Sequence, residues 1–447
     1  MAMGTRNPGQ TLLFFTPDQM PVAPTTPFFE KLNAMLDQMG FDDFVEKLCR
    51  SYYAERMGRP ALAPGVYFRL LLLGYLLGID SERGIALTVA DSLGLRAFLG
   101  YALHQNPPEH STISRTRRRI SLETHEQVFG WVLQQLREAG LANGRTVAVD
   151  ATMLFANAAL RTLQRKDSGQ RYREFVEGLA AASGVETPTL AELAAFDRKR
   201  PGKTLSNKDW QSPTDPDARV AKMKNGTTHL AHKAEHAVDL ESGVLVGVTL
   251  QAADQGDPAT LGETLEATAA VGEKPEQVVA DKGYHSDAVL QELEAAEQEA
   301  HIPEPQRAKR DFKGKPEVKR LVQENRERVG SAAGKQLQKL RTEKVERSMA
   351  HMYETGGMRR LYLRGRANIR KRLLVQACGF NLGVLMRSLT GVGTPRSLQG
   401  QGQRLAGGSD FVFHSPLRGV LSGLLSTMGA CLRFRHEIGR KLVLDLA

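Results

Sequence analysis

The stretch that decides the fold is Arg145-Thr-Val-Ala-Val-Asp150, a short apolar strand that ends at an acidic residue. A second stretch, Val278-Val-Ala-Asp281, has the same form and resembles a buried strand of a parallel sheet. A third acid, Glu346, belongs to a later segment with helical character. Two carboxylates at strand ends and a third on a helix can hold two divalent metal ions for phosphoryl transfer. The arrangement therefore indicates nucleic-acid chemistry.

Strand and helix patterns alternate around these acids. Residues 229–251 predict a β-hairpin, residues 258–270 and 287–299 predict helices, and residues 300–303 predict a last short strand. The order of strand, hairpin, helix, strand, helix, strand and late helix is typical of an RNase H-like α/β domain. We place this catalytic domain at residues 145–390.

A polar insertion of about 157–225 follows the first strand of this domain. It contains two predicted helices, at 172–183 and 190–200, and a predicted loop at 203–224 that is rich in Asn, Asp, Pro and Ser. Residues 391–447 predict a basic C-terminal tail.

Residues 1–144 predict an all-α, helix-turn-helix-like domain that binds DNA. Its most informative segment is Pro107-Pro-Glu-His-Ser-Thr-Ile-Ser-Arg-Thr-Arg-Arg-Arg-Ile120, in which Ser111 or Thr112 can cap a helix. The candidate contacts to phosphates or bases are Ser111, Thr112, Ser114, Arg115, Arg117, Arg118 and Arg119. The alternative is a solvated helix that packs Ile113 and Ile120 inward.

The charge distribution favours a polyanionic partner. The chain of 447 residues has a net charge of +10, and residues 301–447 contain 29 Lys and Arg against 11 Asp and Glu, so about +18 lies there. The three cysteines are far apart and form no CxxC pair, which argues against a zinc site or a disulfide framework. The first ten residues lack a signal-peptide pattern, and the longest apolar run is too short for a membrane span, so we expect a cytoplasmic, nucleoid-associated protein.

The metal chemistry assigns a role to each acid. Mg²⁺ prefers hard oxygen ligands and keeps several waters, so a few carboxylates suffice to hold two Mg²⁺ or Mn²⁺ ions. Asp150 is expected to bridge both ions, Asp281 to complete one site and Glu346 the other. Taken singly, an Asp at a strand end is more often a turn former or helix cap. Spacing alone does not choose among Glu343, Glu346 and Glu354.

Several short motifs occur in an order that resembles bacterial insertion-sequence transposases of the DDE type, over nearly all of residues 28–387. They include Leu70-Leu-Leu-Leu-Gly-Tyr-Leu-Leu-Gly-Ile-Asp-Ser-Glu-Arg83, Glu109-His-Ser-Thr-Ile-Ser-Arg115, Val147-Ala-Val-Asp-Ala-Thr152, Ala280-Asp-Lys-Gly-Tyr284, Val345-Glu-Arg-Ser-Met-Ala-His351 and Glu354-Thr-Gly-Gly-Met-Arg-Arg360. The resemblance implies that the acid of the Val-Glu-Arg segment is the third catalytic carboxylate, which selects Glu346 over Glu343 and Glu354.

The chain departs from the family pattern around the last acid. Many relatives have Tyr-(2)-Arg-(3)-Glu-(6)-Lys there, but Thr342 stands at the Arg position and Tyr353 at the Lys position. Four arginines are candidates to bind phosphate instead: Arg347, Arg359, Arg360 and Arg364. Lys282 and Tyr284, in the turn after Asp281, are further candidates for DNA contact, or they simply shape that turn.

The resemblance implies a DNA transposase. Such a protein binds the terminal inverted repeats of its element, cuts the element ends and joins the resulting 3′-OH to target DNA, as a homodimer or larger assembly on the DNA. One alternative is a metal-dependent nuclease of the same fold that does not join DNA. Another is a DNA-binding derivative that has lost activity.

Overall fold

The structure is a computed structural model, and it describes residues 26–54, 61–102, 104–184, 189–199, 206–223, 225–272, 274–306 and 312–398. The described residues belong to one compact unit. The tail predicted at 391–447 lies outside the described residues from position 399 onward, and so does Cys431. Cys49 and Cys378 are buried free thiols, as expected for structural cysteines.

In the described residues before the first strand, the regular structure is helical. Their bounds are α1 Thr26–Gln38, α2 Phe41–Cys49, α3 Pro64–Leu77, α4 Glu82–Asp91, α5 Leu93–Phe98, α6 His110–Arg119 and α7 Leu122–Glu138. Helix α3 is buried along nearly its whole length because apolar residues surround its axis. Ser81 caps α4 through a hydrogen bond from the Gly84 amide, as predicted.

The predicted cap of the arginine-rich helix is wrong by two or three residues, because the N-cap residue is Glu109. Helix α6 begins at His110, and the carbonyl of Glu109 accepts the first helical hydrogen bonds, from the amides of Thr112 and Ile113. Ser111 and Thr112 therefore lie inside the first turn of α6 and do not cap it. Ile113 and Ile120 are fully buried, as the packing alternative for this helix requires.

The central sheet has six strands. The strands in the described residues are β1 Thr146–Phe155, β2 Gln164–Arg165, β3 Trp210–Gln211, β4 Arg219–Lys222, β5 Thr228–Asp239, β6 Leu245–Ala252, β7 Gln277–Ala280 and β8 Glu299–His301. The order β4-β5-β1-β7-β8 describes the sheet, with β6 also paired to β5, while β2 and β3 form a separate pair. Strand β1 is antiparallel to β5 and parallel to β7, so the sheet is mixed.

Helices cover the sheet and complete the α/β layers. They are α8 Tyr172–Ala182, α9 Leu190–Lys199, α10 Asp257–Val271, α11 Asp287–Ala295, α12 Pro316–Gly330, α13 Ala332–Met349 and α14 Arg366–Thr390. A π-helix, Ala350–Thr355, continues α13. Helix α14 is long and apolar enough to cross a membrane, but 72% of its most apolar window is buried inside the protein, where it packs on α7, α3 and β6.

The sequence predicts most of these elements but not all of their bounds. The hairpin, helices α8 to α11 and strand β7 lie within one to four residues of their predicted ends. Strand β1 is longer than expected, since it continues past Asp150 to Phe155, so Asp150 lies in mid-strand and the prediction that it ends a strand is wrong. The loop predicted at 203–224 contains the short strands β3 and β4. Trp210 of β3 packs against the rings of Tyr172 and Phe175, and this contact holds its segment on helix α8.

Candidate active site

Asp150 and Asp281 lie side by side on the sheet. Val149 of β1 pairs with Ala280 of β7 in a parallel register, and the two aspartates are the residues that follow. Strand β7 ends at Ala280, whereas β1 continues along β5. The two aspartates therefore lie at the point where the pairing of β1 with β7 ends. The side chain of Asp281 turns back to accept a hydrogen bond of 2.7 Å from the Gly283 amide, and thus caps the short 3₁₀-helix Lys282–Tyr284.

A guanidinium already contacts Asp150. Nη1 of Arg341 in α13 donates to Oδ2 of Asp150 at 2.8 Å, and both side chains are largely buried. Oδ1 of Asp150 accepts from the Ala151 amide. Motif comparison had placed the expected arginine at position 342, so Arg341 is a site residue that the sequence reasoning missed. The sequence does show an arginine one position before Thr342, in the helical segment that contains Glu346.

A buried polar cluster docks α13 against the sheet beside Asp150. His236 is the cross-strand neighbour of Asp150 and lies on the same face of the sheet. Its Nδ1 is 2.8 Å from Oγ of Ser348, and its Nε2 is 2.5 Å from the Tyr353 hydroxyl. Burial, with a smaller effect of the Arg359 charge, lowers the pKa of His236 to about 3, so the ring is neutral at pH 7.

Arg359 completes the basic side of this face. Its Nη1 donates to Oγ1 of Thr152 at 2.9 Å and to the carbonyl of Met153 at 3.1 Å. It also forms an ion pair with Glu354. Because Thr152 follows Asp150 by two residues in β1, both side chains lie on one face of the strand. Arg359 and Arg341 thus place two guanidinium groups on the face of β1 that carries Asp150.

Glu346 lies on α13, five residues after Arg341, and its side chain is exposed. Within the described ranges, no hydrogen bond or ion pair joins it to either aspartate. Glu343, one turn earlier, pairs with Arg347 at 2.9 Å, and Glu354 pairs with Arg359. Of the three glutamates, Glu346 is therefore the one without an arginine partner in this part of the chain.

The two aspartates fit a divalent cation in their chemistry and position. They offer hard carboxylate oxygens from adjacent strands, and a cation, the Arg341 guanidinium, already binds one of them. Within the described part of the chain, no group of three or more His, Cys, Asp or Glu side chains has the spacing of a metal site. The fit thus rests on Asp150 and Asp281 and does not extend to Glu346 by geometry.

A buried ionic network lies beneath the loop that carries Asp281. Glu235 is fully buried and accepts from Thr260, Thr264 and the Tyr284 hydroxyl, and Lys233 pairs with it at 3.0 Å. Burial raises the pKa of Tyr284 well above its usual value, and the carboxylates of Glu235, Asp257 and Asp150 raise it further. The phenol therefore stays protonated and ties the Lys282–Tyr284 turn to the sheet.

Gly283 lies between two carboxylates at this turn, and any side chain there would displace them. A Cβ atom there would lie 2.8 Å from Oδ2 of Asp257 and 2.9 Å from Oδ1 of Asp281. These two oxygens are consequently within about 5.7 Å of each other, the sum of the two distances. The glycine thus allows two carboxylates to approach the same point.

The candidate DNA-binding residues of α6 have different environments. Arg115, Arg118 and Arg119 are exposed, whereas Arg117 is buried. Arg117 forms an ion pair of 2.7 Å with Glu82 and donates to Asn368 in α14 at 2.6 Å. Its charge is therefore used inside the protein. Ser111, Thr112 and Ser114 are partly exposed along the same helix.

The remaining basic candidates also divide by exposure. Lys282, Arg347, Arg360 and Arg364 are exposed, and Arg359 is partly buried against Thr152. Tyr284 is fully buried, so it shapes the turn after Asp281 from within.

Two family models match the sequence and define the class of protein. One family model, described as transposase DDE domain, matches residues 196–382, and another, described as transposase domain (DUF772), matches residues 18–119. The chain belongs to the DDE transposases of insertion sequences and is a DNA transposase. No curated protein matches it. The family implies an RNase H-like fold, with which the mixed sheet is consistent, and use of divalent metal ions.

Asp281 and Glu346 fall inside the DDE match, whereas Asp150 lies in the interval between the two matched regions. The family matches therefore do not place Asp150 near Asp281, whereas the pairing of β1 with β7 does.

Proposed function

We propose that the protein binds the terminal inverted repeats of its insertion sequence and catalyses metal-dependent strand cleavage and strand transfer. The observation that carries the proposal is the adjacency of Asp150 and Asp281 on parallel strands, with a guanidinium in contact with Asp150. Asp150, Asp281 and Glu346 are the proposed catalytic acids and ligands of two Mg²⁺ or Mn²⁺ ions. Bound there, the ions would activate the attacking oxygen and stabilise the leaving one.

The chain's own residues would prepare the site for this chemistry. Arg341 holds the Asp150 carboxylate in one orientation, and Arg359 presents a second cation beside it for a phosphate oxygen. The Glu235 network holds the turn after Asp281 from below through Tyr284. His236 fixes α13, and therefore Arg341, against the sheet. Each of these contacts sets a position before substrate arrives, which lowers the cost of ordering the site.

We propose that the helical segment of residues 1–144 recognises DNA in the manner of a helix-turn-helix domain. The exposed Arg115, Arg118 and Arg119 of α6 are its proposed phosphate contacts. Ser111, Thr112 and Ser114 are proposed base or phosphate contacts. Two element ends must be cut and joined together, so we propose that at least two copies of the chain assemble on the DNA.

The test uses a duplex that carries the DNA flanking the gene, incubated with supercoiled plasmid and Mg²⁺ or Mn²⁺. Joined products support the transposase mechanism, and nicks without joining support a nuclease. Asp150→Asn, Asp281→Asn and Glu346→Gln should each abolish both products, because each removes a charged ligand. Glu343→Gln, one helical turn away, is the matched control and should retain activity. Full activity of Asp150→Asn would refute the assignment.

A further inference from the structure

A second basic feature lies on α13, apart from the residues that contact Asp150. Gln338, Arg341 and Ser348 of this helix contact the sheet. Lys344, Arg347 and His351 follow a different line along the helix and its π-helical continuation, at spacings of three and four residues. These three side chains line a small cavity of about 50 Å³. The cavity is therefore separate from the candidate active site.

Besides α13 and Tyr75 of α3, three other parts of the chain form walls of the cavity. Ser242 and Gly243, at the turn between β5 and β6, form one wall, and α14 forms another. Gly383 of α14 lies so close to Gly393 that a Cβ atom would be 2.7 Å from the Gly393 carbonyl oxygen. The segment after α14 thus packs tightly on the helix and closes a third side. The cavity is built by packed backbone as well as by surface side chains.

Cations dominate the lining of the cavity. Lys344, Arg347 and Arg387 supply the charges, the imidazole of His351 lies among them, and the described lining contains no Asp or Glu. Within the described ranges, Lys344 and Arg387 have no carboxylate partner. Arg347 pairs only with Glu343 there, and both side chains are about half exposed, so solvent screens that pair.

These cations lie close enough to affect one another. Burial lowers the pKa of His351, and the charges of Arg387 and Arg347 lower it further. A neutral imidazole beside two guanidinium groups and an ammonium group leaves a local excess of positive charge. An anion that enters the cavity would relieve this repulsion.

We propose that this cavity binds a phosphodiester of the DNA backbone as a contact outside the Asp150 region, an inference that rests on the proposed function. The occupant is an anion because the cations lack acidic partners. It is a backbone phosphate because the cavity opens beside a flexible lysine and an exposed arginine, which bind phosphate without reading bases. The contact would hold DNA against the outer side of α13.

The first test measures duplex affinity against salt concentration, in EDTA so that cleavage does not interfere. Fluorescence anisotropy with a labelled 30-base-pair duplex compares the full chain with the double variant Lys344→Gln/Arg387→Gln. Loss of one phosphate contact should reduce the slope of log K against log salt by about 0.9 and weaken binding about eightfold at 0.1 M salt. The control is Lys319→Gln/Arg173→Gln, which removes the same charge from exposed helical positions elsewhere.

A second pair of variants separates charge from folding. Ser242 accepts a hydrogen bond from the Val244 amide, and both Asp and Asn can retain that acceptor. Ser242→Asp adds a carboxylate at the rim of the cavity and should weaken duplex binding, whereas Ser242→Asn should not. Thermal unfolding should show no loss of stability in Ser242→Asp, because its new carboxylate lies near Lys344 and Arg387.

Equal salt slopes for the Lys344→Gln/Arg387→Gln variant and its control overturn the inference, even if strand transfer is observed. Equal duplex binding by Ser242→Asp and Ser242→Asn also overturns it. If inorganic phosphate raises the melting temperature of the unchanged chain but not of the double variant, and the slopes stay equal, the cavity binds free phosphate and not DNA. A reduced slope supports the inference even where the cleavage assay fails, so the two proposals can fail independently.

Discussion

His236→Gln should lower the free energy of unfolding and should also make that free energy depend less on pH. The imidazole is fully buried between Ser348 and Tyr353, and its pKa falls from 6.5 to about 3 in the folded protein. In the unfolded chain the ring binds a proton below pH 6.5, whereas in the folded chain it does so only near pH 3. Between these values the unfolded state binds more protons, so stability falls as the pH falls.

The size of the effect follows from the depressed pKa. One pKa unit corresponds to about 1.4 kcal/mol, so acidification from pH 6.5 to pH 5, about 1.5 units, should cost about 2 kcal/mol through His236. Glutamine does not titrate and can replace only part of the hydrogen bonding. At pH 7 the variant should therefore be less stable by about 1–3 kcal/mol, because a buried polar group loses its partner. At pH 5 the difference should shrink by about 2 kcal/mol.

The assay is urea unfolding of the full chain and the variant at pH 7 and pH 5, followed by tryptophan fluorescence. His104→Gln is the control, since it removes an exposed imidazole and leaves the buried cluster around His236 intact. His125, also buried with a pKa lowered to about 4, is present in both proteins and cancels in the comparison. Identical pH dependence in the unchanged chain and His236→Gln would refute the buried, neutral state of His236.

Three further substitutions test other contacts. Arg341→Gln should tighten Mn²⁺ binding to EDTA-stripped protein by about tenfold in titration calorimetry, because a charge-assisted hydrogen bond of about 1.5 kcal/mol no longer competes for Asp150. Strand cleavage by this variant should fall. Weaker Mn²⁺ binding would show that Arg341 supports the metal instead. Arg117→Ala should lower the free energy of unfolding by about 3 kcal/mol, because it leaves Glu82 unpaired. Arg118→Ala, at an exposed position, should change the free energy of unfolding by less than about 0.5 kcal/mol and should weaken DNA binding. Equal thermal stability of the two variants would contradict this difference. Gly283→Ala should abolish strand cleavage with normal secondary structure by circular dichroism, because its Cβ displaces the carboxylate of Asp281; retained cleavage would show that the turn adapts.

Local patterns predict the parts of this protein whose contacts are close in sequence. The hairpin of β5 and β6 and the end of β7 before Asp281 follow from β-branched runs and turns, and both lie where expected. The length of β1 does not follow from such patterns. The residues after Asp150 stay in a strand because β5, some eighty residues later, pairs with β1 as far as Phe155. Long-range pairing therefore determines where Asp150 lies in its strand.

The same reasoning explains why Arg341 was missed and Thr342 was considered. Successive residues of an α-helix point about 100° apart, so a motif counted along the sequence places a side chain correctly only if the rotation of the helix is known. Contacts far from the motif set the rotation of α13: Gln338 donates to the Ala280 and His301 carbonyls, and Ser348 binds His236. With α13 held in this way, position 341 faces Asp150 and position 342 is exposed. The departure at Thr342 therefore does not leave Asp150 without a guanidinium, because the docking of α13 transfers that contact to the preceding residue.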